Sequence, residues 1–158
     1  MFKKILYPTD FSESAQAAFK YVKKLKDAGT EEVVLIHVYD ERYIDVHWEI
    51  ESFIHENEPV EKAKHDVIKT LLNKSYERLK ELEKELNENG LKTELIVKEG
   101  TPYEIINKTA EELNVSIIVM GSHGERGFIE KMLGSTTGRV LQRSKIPVLI
   151  VKPPMDKS

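Results

Sequence analysis

Five short apolar runs punctuate the chain: Ile5–Tyr7, Val33–Ile36, Leu95–Val97, Ile117–Met120 and Val148–Val151. Each is rich in β-branched residues and does not alternate with polar positions, the pattern of strands buried on both faces in a parallel sheet. Between them the apolar positions switch to a spacing of three and four. Ala15, Ala18, Phe19, Val22 and Leu25 make one stripe. Asp10 and Ser12 both suit its N-cap, Glu13 follows Asp10 at capping-box spacing, and Gly29 suits its C-cap. A longer segment from about Glu61 to Asn89 carries Ile68, Leu72, Leu79, Leu82 and Leu86 on one side and stops at Asn89-Gly90. Thr101-Pro102 opens a third helix with the stripe Ile106, Ala110 and Leu113. Gly134-Ser135 opens a fourth, with Val140 and Leu141 expected to turn inward.

The order is β-α-β-α-β-α-β-α-β. Strands joined by helices run parallel with right-handed crossovers, so the expected fold is a single doubly wound five-stranded α/β sheet, Rossmann-like, with helices on both faces. Such a sheet binds ligands at its switch point, beyond the carboxyl ends of the strands. One domain over residues 1–152 is expected, with a short tail at 153–158. The stretch from Asp40 to Pro59 is long for a loop. It reads as a short amphipathic helix closing over the core, or else as a lid or a surface for an unknown protein partner across 40–60.

Composition narrows the chemistry. With no cysteine, thiolate nucleophiles, disulfides and Cys-based metal centres are excluded. Lys+Arg 24 against Asp+Glu 27 leaves a net charge of −3, which offers no bulk attraction to nucleic acid or to an anionic membrane. No run reaches a membrane-spanning length, and a cytoplasmic protein is expected.

The informative constellation is Gly121-Ser122-His123-Gly124, nine residues, then Gly134-Ser135-Thr136. It follows one strand run and opens a helix. Gly121 and Gly124 would let the loop approach a ligand closely. Gly134, Ser135 and Thr136 would offer free backbone amides, hydroxyls and the positive end of a helix dipole. Two such turns make a cradle for a polyphosphate. No Gly-Lys-Ser/Thr follows, so this is no Walker A loop, and Gly-x-Gly-x-x-Gly is absent too.

This Gly-x-x-Gly, nine residues, Gly-Ser pattern resembles the ATP-binding signature of the universal stress protein family. Lys4-Ile5-Leu6-Tyr7-Pro8-Thr9-Asp10-Phe11-Ser12 resembles that family's opening, as do His37-Val38 and Ile146–Val151 at two later strands. The resemblance spans nearly all of the chain except Asp40–Glu61. It implies sheet order 3-2-1-4-5, with Asp10 and Gly121 on opposite sides of one crevice. It also implies that Asp10 bonds the ribose or adenine side, that Pro8 and Thr9 shape that wall, and that Val38 presents its backbone to adenine. Met120 and Gly121 would line the ribose. Gly124, Gly134, Ser135 and Thr136 would hold the phosphates of ATP, with Mg²⁺ or Mn²⁺ bridging them.

Other residues admit two readings. Asp10 is either a helix cap or a ligand contact. His123, inside the glycine loop, is read as a phosphate neighbour without catalytic duty, and His37 as a satisfied core residue. His47, Glu51 and His55, four apart, are read as a polar helix face rather than a metal site. Arg126 and Lys131 are solvated or neutralise phosphate; Arg139 and Arg143 are surface charges. Pro147–Val151 is an apolar candidate edge, and both that feature and the resemblance point to a homodimer through it. The expected function is an ATP-binding, stress-related regulator or switch with slow hydrolysis at most. The alternative is an ATPase or a phospho- or nucleotidyl-transfer enzyme using Asp10 and His123.

Overall fold

The computed structural model describes residues 1–40, 42–43, 60–123 and 132–154. The elements are β1 (Lys4–Pro8), α1 (Glu13–Lys24), a 3-10 turn (Leu25–Ala28), β2 (Glu32–Asp40), α2 (Val60–Glu88), β3 (Lys92–Gly100), α3 (Pro102–Glu112), β4 (Ile117–Gly121), α4 (Ser135–Arg143) and β5 (Val148–Val151). All pairings are parallel, and the sheet order is β3-β2-β1-β4-β5. This is the doubly wound fold expected from the apolar pattern, with the strand order that the family resemblance implies.

The strands' alternation sends successive side chains to opposite faces. Ile5, Tyr7, Val33, Leu35, Ile117 and Val119 pack under Phe19 and Val22 of α1 and Leu79 and Leu86 of α2. Leu6, Val34, Ile36, Ile118 and Met120 pack against Ile106 and Ala110 of α3 and Val140 of α4. Burial on both faces explains the continuous apolar runs of β1 and β4. The outer strands differ: much of β3, and most of β5, is only half-buried, because each has a sheet neighbour on one side alone.

Local chemistry sets the ends of the helices. Ser12, not Asp10, caps α1, its Oγ accepting from the Ala15 amide at 3.2 Å. Gly29 (φ +97°) closes the 3-10 turn and Gly90 (φ +79°) follows α2, both in the left-handed region that glycine enters freely. Pro102 begins α3. Val140 is fully buried, but Leu141 is 45% exposed, which corrects the expectation that both turn inward. Adjacent helical positions lie about 100° apart, so the stripe takes one and not the other. Among the described residues no helix is long and apolar enough to cross a membrane.

The stretch from Asp40 to Pro59, read as a short amphipathic helix over the core or else as a lid or partner surface, lies outside the described residues except for Asp40, Arg42 and Tyr43. The same holds for His47, Glu51, His55, Gly124, Arg126 and Lys131.

Candidate functional site

The crevice opens where two strands part. β1 and β4 pair only at Ile5–Ile117 and Leu6–Ile118. Beyond that, a cavity of about 630 Å³ lies across the carboxyl edge of the sheet, a size suited to a small organic ligand. Ten residues singled out from the sequence line it together: Pro8, Thr9, Asp10, Val38, Met120, Gly121, His123, Gly134, Ser135 and Thr136. They come from four separate stretches of chain.

One wall is main chain. β2 continues to Asp40 after β1 has ended at Pro8. The Thr9 amide donates to the Ile36 carbonyl at 2.9 Å, so the backbone groups of Ile36 face β1. Two residues on, those of Val38 point the same way, into the gap past the end of β1. Ile36, Val38, Pro102, Ile106 and Met120 give the adjoining surface an apolar character that suits a flat ring.

Asp10 stands at the mouth. Its Oδ1 accepts from the Ser12 amide at 3.0 Å, an Asx turn. Among the described residues its second carboxylate oxygen makes no hydrogen bond, so the cap-like role and an outward-facing acceptor coexist on one side chain. The turn is tied throughout. The Phe11 amide donates to Thr9 Oγ1 at 3.0 Å. His37 Nδ1 lies 2.7 Å from the Thr9 carbonyl, a bond that requires the proton on Nδ1. His37 is half-buried and lines the cavity, so it is part of the site's frame as well as of the core.

The opposite end is built from β4 and α4. The Gly134 amide donates to the Ser122 carbonyl at 2.9 Å, and Thr137 Oγ1 donates to the Gly121 carbonyl at 2.9 Å. These bonds seat the start of α4 against the end of β4. The Gly134 amide is thereby used, which corrects the expectation that it faces a ligand. The first bond within α4 runs from the Gly138 amide to the Gly134 carbonyl. The amides of Ser135, Thr136 and Thr137 therefore have no acceptor inside the helix, and they lie at its positive end. His123 is held through its amide on Ser14 Oγ (3.3 Å) and its Nδ1 beside Ser122 Oγ (3.0 Å).

Gly121 has a structural reason the sequence did not disclose. A Cβ there would lie 2.5 Å from Ser14 Oγ and 2.6 and 2.7 Å from the Ser14 carbonyl carbon and oxygen. The missing side chain makes room for α1, not only for a ligand. Tyr7, beneath the same region, donates to the Ala15 carbonyl at 2.7 Å, and burial pushes its phenol well above the ordinary value.

Sequence reasoning missed the α2 side of the cavity: Phe11, Tyr39, Leu71, Ser75 and Arg78. The Arg78 guanidinium carbon lies 4.1 Å from the centre of the Phe11 ring, and Phe11 in turn lies 4.9 Å from His37. Helical spacing alone makes Arg78 a solvated surface charge. Arg139 and Arg143 are exposed as expected, and both lie 5.2 Å from the Tyr103 ring. No cluster of three or more metal-ligating side chains occurs among the described residues.

The comparisons agree with this architecture. The model of the universal stress protein family matches residues 1–152. Universal stress protein MJ0577 of Methanocaldococcus jannaschii is 43% identical, over 96% of each chain. Universal stress protein YxiE of Bacillus subtilis is 34% identical over 96% of this chain and all of its own. The solved structure of MJ0577 superposes with a TM-score of 0.85 at 41% identity, covering 99% of both chains. At 18–19% identity the fold is shared with a universal stress protein solved in complex with cAMP and with one from Arabidopsis thaliana solved with AMP bound. Fold, strand order and whole-length similarity together establish that the chain belongs to the universal stress protein family.

Proposed function

We propose that the protein is an ATP-binding regulator whose nucleotide occupies the crevice between β1 and β4. The observation that carries this reading is the pairing, in one cavity, of an apolar slot with three amides at the start of α4 that have no acceptor among the described residues. A base suits the first and a phosphate chain the second. The Val38 backbone would meet the base edge, the open oxygen of Asp10 a hydroxyl or amine donor, and Ser135 and Thr136 the phosphates. Gly124, outside the described residues, would complete the phosphate loop. Adenine nucleotides bound to two proteins of this fold make ATP the first ligand to test.

A Mg²⁺ or Mn²⁺ ion would be held chiefly by the phosphates, with few protein ligands, as Mg²⁺ commonly is. The protein residues would bind and orient; a regulatory role follows if occupancy changes what the surface presents. We further propose that two copies pair along β5, which stands at the sheet edge with Val148, Leu149 and Ile150 half-buried. Sedimentation should then give the mass of two chains.

Calorimetry with Mg-ATP tests the site. One nucleotide per chain is expected for the wild type. Asp10→Ala should weaken binding roughly 10- to 100-fold, the worth of a hydrogen bond to a charged group. A wild type that gives no binding heat and releases no nucleotide on denaturation refutes the reading.

A further inference from the structure

We infer that Phe11 is a positioning residue, packed against both Arg78 and His37 so that Thr9 and Asp10 are presented to the crevice in one fixed geometry. The inference rests on the nucleotide reading above and extends it to residues that the cavity's polar contacts do not name.

The first observation is the backbone. Phe11 sits at φ +64°, in the left-handed region. Glycine and asparagine enter that region readily; a bulky aromatic residue does not, and it stays there only if its surroundings over-determine it. The surroundings here do so through two contacts to the ring. The Arg78 guanidinium carbon lies 4.1 Å from the ring centre. His37 lies 4.9 Å away on a tilted approach, and Tyr39 meets His37 edge-on at 4.8 Å. Tyr39 is itself anchored, its hydroxyl donating to the Leu71 carbonyl on α2 at 2.6 Å. The stack thus starts and ends on α2 and passes through β2 and the turn after β1.

The second observation is what the left-handed residue does to its neighbours. It reverses the chain between Asp10 and Ser12. The Asp10 carboxylate can then reach the Ser12 amide, and the Ser12 hydroxyl can cap α1. The Phe11 amide turns back to Thr9 Oγ1. With His37 on the Thr9 carbonyl, the peptides on either side of Asp10 are each tied down before any ligand arrives. Preorganisation of this kind reduces the ordering that binding would otherwise cost.

Arg78 fits this role. It is exposed, and among the described residues no carboxylate pairs with it, although α2 is rich in glutamate. Its contact is the ring. Stacking needs the planar guanidinium, which lysine lacks.

The test uses the full chain in three variants. Phe11→Gly accepts φ +64° without strain but removes the ring. Its melting temperature should fall by a few degrees, because the ring also packs on the core, while Mg-ATP binding, measured well below that transition, weakens at least tenfold. Exchange of the Ser12 amide should also rise at least tenfold without nucleotide. Phe11→Tyr, which keeps the ring, should bind as the wild type does. Arg78→Lys should fall between the two. Wild-type affinity and wild-type Ser12 exchange in Phe11→Gly would overturn the inference while leaving the nucleotide site standing. A wild type that ignores Mg-ATP overturns the nucleotide reading, and the inference with it.

Discussion

Replacing Gly121 by alanine should be among the most damaging single-methyl additions to this protein. The new Cβ would meet Ser14 Oγ at 2.5 Å, a contact that rotation of the hydroxyl relieves. It would also meet the Ser14 carbonyl carbon and oxygen at 2.6 and 2.7 Å, and those are main chain. Relief there requires the first turn of α1 to move off β4, against the buried Ala15, Ala18 and Phe19. Overpacking that forces a backbone shift costs about 3 kcal/mol. For a chain of this size that lowers the melting temperature by roughly 6–12 °C. Gly138 supplies the internal control: it lies inside α4, and among the described residues a Cβ there meets nothing within 4 Å. Gly138→Ala should gain about 0.5–1 kcal/mol through helix propensity. Thermal unfolding followed by circular dichroism on both variants decides the matter. Gly121→Ala melting within a degree of the wild type would refute the packing argument.

Two further substitutions probe the frame of the site. Thr137→Val removes the bond to the Gly121 carbonyl and leaves a buried acceptor unpaired; urea unfolding should report a loss of about 1–3 kcal/mol. Tyr7 sets a pH dependence. Its phenol is raised from 10.0 in the folded chain, so above that pH the unfolded chain releases a proton that the folded one keeps. This contribution to stability is therefore complete below pH 10 and is lost above it, by up to about 1.4 kcal/mol per pH unit. Titrating stability between pH 9 and 11 in the wild type and Tyr7→Phe should show a steeper decline in the wild type, and equal slopes would contradict it.

Periodicity in the sequence located the five described strands and the helices between them, because residues buried on both faces leave uninterrupted apolar runs. It overstated the burial of β3 and β5, since an edge strand keeps the same residue types as its neighbours. The glycine spacing brought Gly121, Gly134, Ser135 and Thr136 to one cavity, yet it did not reveal which groups were already occupied. Ser14 and Gly121 are far apart in sequence, so no local pattern announces that the helix needs the space. Phe11 was hidden for a different reason. Left-handed aromatic residues are rare, and only the Asx-forming Asp10 two residues before Ser12 signals the reversal. Arg78 carried no signal at all, because a charged position on a long helix looks solvated until its neighbour is known.

β2 outruns β1, so the crevice wall at Val38 is made of peptide groups. Such a wall has no side chain to delete. Alanine scanning would pass over it silently, and drift at position 38 would leave its hydrogen-bonding edge unchanged. Only a change to the amide itself, such as proline or an ester linkage, would expose its contribution.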